Sequence, residues 1–435
     1  MSNKKGRTIA IVAMIFLFGM ISFVTNLAAP LGNVWKSQPG IDGSNTWGMM
    51  GNMMNFLAYL IMGIPAGKIL SRKGYRNTVL MAILIGLCGI LVQFLSGKVL
   101  VGTMVGGLPV SFFVYLLGAF ISGFCVCLLN TAVNPMLNIL GDGGKRGNQY
   151  IQIGGTLSSL VATVTPMMVG TMVGELTPQT RISDVNILLY VAMAVFMLSF
   201  VILYMVPIEE PRHNENKYEK VLSPWRYRHF VLGAIAIFFY VGVEIGIPGT
   251  LNFYLSDSTS RGAGIGDNAV TIAGFAAGTY WFMMLVGRFL STFIASKVSS
   301  RAMLVFASAI AVILVLVAMF VPLRSVNMTV FTGSSFENVA LPLSAILLVL
   351  CGLMTSIMWG AIFNLAIDGL GKSTEEASGI FMMLVVGGGI MPLVQNAIAD
   401  SVGYMASYVV TAIGLVFILW YAVRGSRHSK EVQKD

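Results

Sequence analysis

Apolar residues run along this chain in twelve long stretches broken by short polar segments. They cover Thr8 to Pro30, Trp47 to Leu70, Asn77 to Leu95, Val110 to Asn138, Gln149 to Val173 and Asn186 to Pro207. After a polar interval they resume over Phe230 to Leu255, Val270 to Ala295, Ala302 to Pro322, Leu341 to Ile367, Ala377 to Ala399 and Tyr404 to Val423. A helix rising 1.5 Å per residue needs about 20 residues to cross a ~30 Å hydrocarbon core, and each run meets that length. The pattern predicts an all-α membrane protein with twelve transmembrane helices.

The most polar interval, EEPRHNENKYEKVLSPWRYRH from Glu209 to His229, divides six runs from six. Its charges and prolines predict a linker over 208–229 between an N-terminal bundle, 1–207, and a C-terminal bundle, 230–435. The halves echo one another. Gly67-Lys-Ile-Leu-Ser71 lies 220 residues before Gly287-Arg-Phe-Leu-Ser291, and Ile139-Leu-Gly141 lies 230 before Gly369-Leu-Gly371. Two pseudo-symmetric six-helix bundles are a transporter pattern.

Composition agrees. The chain is 56% hydrophobic and 10% charged, where soluble proteins carry about 25% charged residues. The net charge of +9 is a matter of topology: 21 of the 27 Lys and Arg fall in segments sharing a side with the N-terminus. Only Lys36, Lys98, Arg181, Arg261 and Arg324 lie opposite, and Arg288 is inside a span. The positive-inside rule then puts both termini in the cytoplasm and leaves no nucleic-acid footprint. The first run is too long for a signal peptide's apolar core and is expected to stay as a helix. Cys88, Cys125, Cys127 and Cys351 sit in apolar runs without metal-ligand spacing, and His213, His229 and His428 lie in or beside polar segments. Neither a metal, a cofactor nor an enzyme activity is indicated.

The exception to the apolar pattern is Glu244, in FFYVGVEIGIPGTLNFYL from Phe238 to Leu255. An acid at a membrane-helix centre costs about 2.5 to 3.5 kcal/mol and usually faces an interior path. Gly242, Gly246, Pro248 and Gly249 surround it, so this helix is expected to be loosened there, as helices at transport sites often are. Asn26 and Pro30 stand 218 residues before Glu244 and Pro248, so corresponding places in the two halves are marked. Such a glutamate can carry a coupling proton or serve as a buried structural hydrogen bond.

Amides recur inside the spans at helical spacing: Asn52 and Asn55 with Tyr59, then Asn130 and Asn134, Gln149 and Gln152, Asn252, Asn364, Gln395 and Asn396. Amides pair with hydroxyl groups, and Tyr280, Trp281 and Trp359 offer flat faces. A lining of Asn26, Asn52, Asn55, Asn130, Asn134, Gln152, Asn252, Trp281, Trp359, Asn364 and Gln395 suits a small neutral solute such as a sugar, although interhelical bonding is the commoner use of any one amide. Arg288, late in span eight, is expected to reach toward the interface and pair with an acid such as Asp368 or Glu376 in a closed gate. The segment Ala366 to Ser373 comes within one glycine of a phosphate-binding loop. It leaves a membrane helix and not a strand, so no nucleotide site is expected.

Gly67-Lys-Ile-Leu-Ser-Arg-Lys-Gly74-Tyr-Arg76 resembles the loop motif of the major facilitator superfamily, with Ser71 where that family usually has an aspartate. Asn130-Thr-Ala-Val-Asn-Pro135, Phe239-Tyr-Val-Gly-Val-Glu244, Ile362 to Lys372 and Gly387 to Gln395 resemble its fucose and glucose/galactose permease branch. The resemblance implies the superfamily's fold and sugar uptake by cation symport at an inner membrane, the partners being a sugar, a coupling proton or sodium ion and the lipid bilayer. Fucose permease has acids near the places of Asn130 and Ala29, and an amide of its fifth helix falls at Ser158, so Glu244 alone is left for coupling. Facilitated diffusion, an exporter of amphipathic solutes and a transporter-like sensor are the alternatives.

Overall fold

The computed structural model describes residues 4–141, 144–173, 180–205, 223–294, 298–322, 324–331, 335–370 and 374–427. Long helices dominate: α1 (Lys4–Lys36), α2 (Asn45–Ser96), α3 (Val110–Leu140), α4 (Gly144–Val173) and α5 (Asn186–Met205) form the first half. The second half holds α6 (Arg228–Ser256), α7 (Ala269–Ile294), α8 (Ser300–Phe320), α9 (Leu343–Thr355), α10 (Met358–Ile367), α11 (Thr374–Leu384), α12 (Gly387–Val402), α13 (Tyr404–Ser407) and α14 (Val409–Trp420).

Eleven helical stretches among the described residues are long and apolar enough to cross a membrane, with α9–α10, α11–α12 and α13–α14 each counting as one. One of the eleven is α2, whose 52 residues would extend about 78 Å, more than two bilayer cores. It turns at Gly74, where φ is 76° and ψ 173°. A side chain would strain that left-handed conformation, which suits the glycine closing the basic loop motif. Two crossings within α2 are compatible with twelve spans. Of the linker expected over 208–229, residues 206–222 lie outside the described ones, and Pro224–Arg226 form a short 3-10 turn into α6.

Two features depart from the sequence expectation. The chain is not purely helical. Ser325–Phe331 and Phe336–Pro342 (β3 and β4) pair as an antiparallel hairpin between α8 and α9, and Met104–Val105 with Leu108–Pro109 (β1 and β2) make a smaller one. The second departure is that α6 runs unbroken through Gly242 to Gly249, and α1 through Pro30. The breaks fall instead between α9 and α10, α11 and α12, and α13 and α14. Close packing accounts for the glycines of α6: a Cβ at Gly242 would lie 2.3 Å from Met391 Sδ, and one at Gly246 2.7 Å from Gln395 Oε1.

Within the first half α1 packs on α4 and α2 on α3; within the second, α6 packs on α7, α10, α12 and α14. The halves meet where α4 lies along α7, where α2 lies along α11 and α12, and where α1 touches α6. Large apolar side chains stay exposed on the outside, among them Ile187, Leu198 and Val201 on α5 and Ile313, Val317 and Phe320 on α8. In water such a surface would be costly; against lipid it is the expected exterior.

Candidate functional site

Between the halves lies a cavity of about 430 Å³ walled by α1, α2, α3, α4, α6, α7 and α10, with parts of α8 and α11. That is ample for a small organic solute. Its lining extends to Ile151 on α4, Ser291 on α7 and Ser300 and Met303 on α8. The cavity therefore reaches the face from which α1 sets out, given the alternation of crossings.

Glu244 is half-way along α6 and points into this space. Tyr240, one turn earlier on the same helix, donates its hydroxyl to Glu244 Oε1 at 2.9 Å. Arg288 of α7 approaches the same oxygen with Nη2 at 3.9 Å. Its Nη1 donates across the boundary between the halves, to Ser159 Oγ at 2.8 Å and to Gly155 O at 3.2 Å on α4. The buried acid therefore has a cation beside it. The two residues lie on different helices, and helical spacing within one segment carries no information about that pairing. Arg288 does not reach Asp368 in this conformation; Asp368 ends α10, and its carbonyl is bonded to the buried His229 ring at 2.9 Å. Glu376 has a side chain outside the described residues.

Around this pair the wall is amide and aromatic. Asn130 Nδ2 donates to Tyr59 Oη at 2.7 Å, and the Tyr59 ring stacks on Phe56 with centroids 5.8 Å apart. Asn134 Nδ2 reaches Asn130 O at 3.2 Å, and Asn26 Nδ2 reaches Ser22 O at 2.9 Å. Asn26, Asn130, Asn134, Trp281, Trp359 and Asn364 all line the cavity, and Trp359 meets Tyr240 edge to face. The amide bonds made inside each half leave oxygens and remaining donors for a guest.

Other amides singled out from the sequence are placed elsewhere. Asn55 is buried against α3, where Gly123 packs on its carbonyl. Gln395 accepts from Thr411 at 3.1 Å in the α12–α14 contact. Asn52 donates to Gly388 O at 2.8 Å, joining α2 to α12. Asn252 accepts from Asn33. Asn52 and Asn252 touch only a small chamber of about 20 Å³ beyond the main cavity. Gln152 is on α4, its side chain outside the described residues. Periodicity puts such residues on one helix face without saying which neighbour that face meets. Ser22 and Ser159 are wall residues that amide spacing alone does not pick out, although Ser22 stands four residues before Asn26; Tyr240, which bonds Glu244 from one turn earlier, is likewise missed by that spacing.

Past the small chamber the far end is sealed. Ser256 Oγ donates to Asn33 Oδ1 at 3.0 Å beside the Asn33–Asn252 bond. Lys36 closes α1, bonded to Asn45, with Nζ 4.4 Å from the centre of the Phe253 ring. Tyr404 donates to Asn45 Oδ1 at 3.0 Å and to Asp257 Oδ2 at 2.8 Å. Asp400 at the end of α12 caps the first turn of α2, accepting from Ser44 Oγ, Asn45 N, Thr46 N and Thr46 Oγ1. Arg261 binds the Ala399 and Asp400 carbonyls at 2.8 and 2.6 Å. The molecule is a cavity open at one face and closed at the other by contacts between its halves.

Comparison with known proteins agrees with this geometry. The family model described as Major Facilitator Superfamily matches residues 9–385. The glucose/galactose transporter of Brucella abortus biovar 1 (strain 9-941) is 28% identical over 440 residues, covering 98% of this chain and 96% of that protein. The L-fucose-proton symporter of Escherichia coli (strain K12) is 22% identical over 374 residues, covering 80% of this chain and 77% of that one. A crystal structure of the E. coli fucose:proton symporter superposes with a TM-score of 0.67 at 19% identity, covering 97% of this chain and all of the other. A bacterial homologue of the human lysosomal transporter Spinster, in an inward-facing conformation, gives 0.62 at 13% identity over 98% of this chain and 97% of its own.

Proposed function

The chain belongs to the Major Facilitator Superfamily, and from that premise we propose that it takes up a monosaccharide across the inner membrane by alternating access, coupled to a cation through Glu244. One observation carries the reading: the cavity between the halves combines amides, indole faces and one carboxylate, and is open at one face and sealed at the other. The relatives named for glucose, galactose and fucose support a monosaccharide as solute. The charge split supports cytoplasmic termini, and on that reading the present conformation is inward-open.

Amides of both halves hold the hydroxyl groups while Trp281 and Trp359 lie against the ring. In the cycle the sealed contacts part, sugar binds from outside, Glu244 takes a proton, and the halves rock to the conformation seen here. Proton loss from Glu244 to the inside restores its attraction for Arg288. The same Glu244–Arg288–Tyr240 arrangement would serve an uncoupled carrier as a fixed hydrogen-bonding group, which makes facilitated diffusion the second reading. Uptake into proteoliposomes of a panel of labelled sugars, under separate proton and sodium gradients, decides between them. Accumulation above the outside concentration under either gradient supports symport; equilibration alone supports facilitated diffusion; no movement of any monosaccharide rejects both.

A further inference from the structure

Among the described residues, Glu244 and Arg288 are the only charged side chains on the cavity wall. Their contact is loose at 3.9 Å. Arg288 uses Nη1 on Gly155 and Ser159 of α4 and makes no hydrogen bond to the described residues through Nε or Nη2. That free edge is the side of a guanidinium that grips a carboxylate with two parallel bonds.

Charge balance shows what the edge is for. With Glu244 ionised the wall is neutral. Once Glu244 takes a proton and a neutral sugar binds, the guanidinium has no counter-charge in a space about to be shut off from water, and an unpaired charge there is costly. A sugar bearing its own carboxylate restores neutrality. We propose, on top of the monosaccharide reading of this cavity on which the inference rests, that the carrier also accepts hexuronates, whose carboxylate binds Arg288 while Glu244 is protonated.

The groups that titrate or carry charge and face Glu244 are Tyr240 on its own helix and Tyr280 and Arg288 on α7. An ionised Glu244 competes with the uronate for Arg288 and repels it. Uronate binding therefore strengthens as pH falls, whereas binding of a neutral sugar lacks that competition. The geometry at α4 adds a second consequence: a guanidinium fixed to Ser159 presents its free edge from a defined direction, so lysine, a point charge without a fork, is a poor replacement.

The test is equilibrium binding of D-glucuronate and D-galacturonate, against D-glucose and D-galactose, to the full-length protein in detergent at pH 6 and pH 8. The uronates should bind, and more tightly at pH 6. Arg288→Gln should weaken uronate binding about 100-fold and neutral-sugar binding less than about 10-fold, as loss of one partner of a charge-assisted pair does. Arg288→Lys should fall between, which keeps the result readable if the glutamine variant does not fold, and Glu244→Gln should abolish the pH dependence. Neutral sugars binding with no uronate binding would overturn the inference and leave the monosaccharide reading intact. Equal loss of both classes in Arg288→Gln, with thermal unfolding unchanged, would also overturn it. Failure of every sugar to bind would reject the monosaccharide reading and the inference with it.

Discussion

Asp400 and Thr46 are joined by two hydrogen bonds, 2.9 Å from the Thr46 amide and 2.6 Å from its hydroxyl, so that a carboxylate of the second half caps a helix of the first. The first turn of a helix has amide donors without helical partners, and a carboxylate there also meets the positive end of the helix dipole. Because the cap joins the two halves, parting them at the far face breaks it. Asp400→Asn retains size and loses charge and two-sided acceptance, and should destabilise the sealed state by about 1 to 2 kcal/mol. Distances between spin labels on the two halves at that face should lengthen. An unchanged distribution would show that the cap does not hold the gate.

Acid reaching the far face tests the same seal. Burial raises the Asp257 carboxyl's pKa, but the bonds from Thr259 and Tyr404 and the charge of Lys36 outweigh it and hold the group below the usual carboxylate value. A carboxylate depressed in the sealed state stabilises that state fully above its ordinary pKa of about 3.9, and the contribution is lost as pH falls through the lower, sealed-state value. Asp257 thus contributes nothing to opening between pH 8 and pH 5. In a Glu244→Gln background, accessibility of a cysteine at Asn33 to an impermeant reagent should stay constant between pH 7 and pH 5; a rise would place a titrating group in the seal that Asp257 does not explain. Lys36, Tyr404, Arg261 and Asp400 are the neighbours to examine in that event.

Two classes of amide should separate experimentally. Alanine at Asn26, Asn130, Asn134 or Asn364 should weaken sugar binding by about 1 to 3 kcal/mol with little change in thermal unfolding. Asn52→Ala and Gln395→Ala should do the reverse, lowering the unfolding temperature because Gly388 O and Thr411 lose buried partners. Binding isotherms and thermal melts on the same six variants give the comparison. Loss of binding in the second pair at normal stability would move the site toward the small chamber.

The architecture is readable in the chain because apolar run length and charge placement are each nearly sufficient. The long apolar runs suffice for the fold class. Glu244, Asn26, Asn130 and Asn364 are visible as polar groups where lipid would forbid them. What periodicity cannot show is the neighbour across a helix contact: Arg288 near Glu244, Asn52 on Gly388, Asp400 on α2 all join residues on separate elements. The glycines of α6 misdirect for the same reason, since a glycine that admits Met391 and one that unwinds a helix look alike in sequence. The β3–β4 hairpin is hidden because its strands lie in what hydropathy treats as connection.

Glu244→Gln isolates coupling. Glutamine keeps the shape and accepts from Tyr240, but carries no titratable proton. A proton symporter so altered should lose gradient-driven accumulation, by about 10-fold or more in the steady-state ratio, while still exchanging sugar between equal concentrations. Accumulation equal to wild type would remove Glu244 as the coupling group.

Asn26 and Glu244, 218 residues apart in sequence, face one cavity from opposite halves. If the halves descend from one duplicated ancestor, these positions were once the same residue, and the proposed function makes their divergence a division of labour: an amide to bond the guest, an acid to carry the coupling proton. On that reading, asymmetry at this one pair of sites is what lets two related halves load one proton with one sugar.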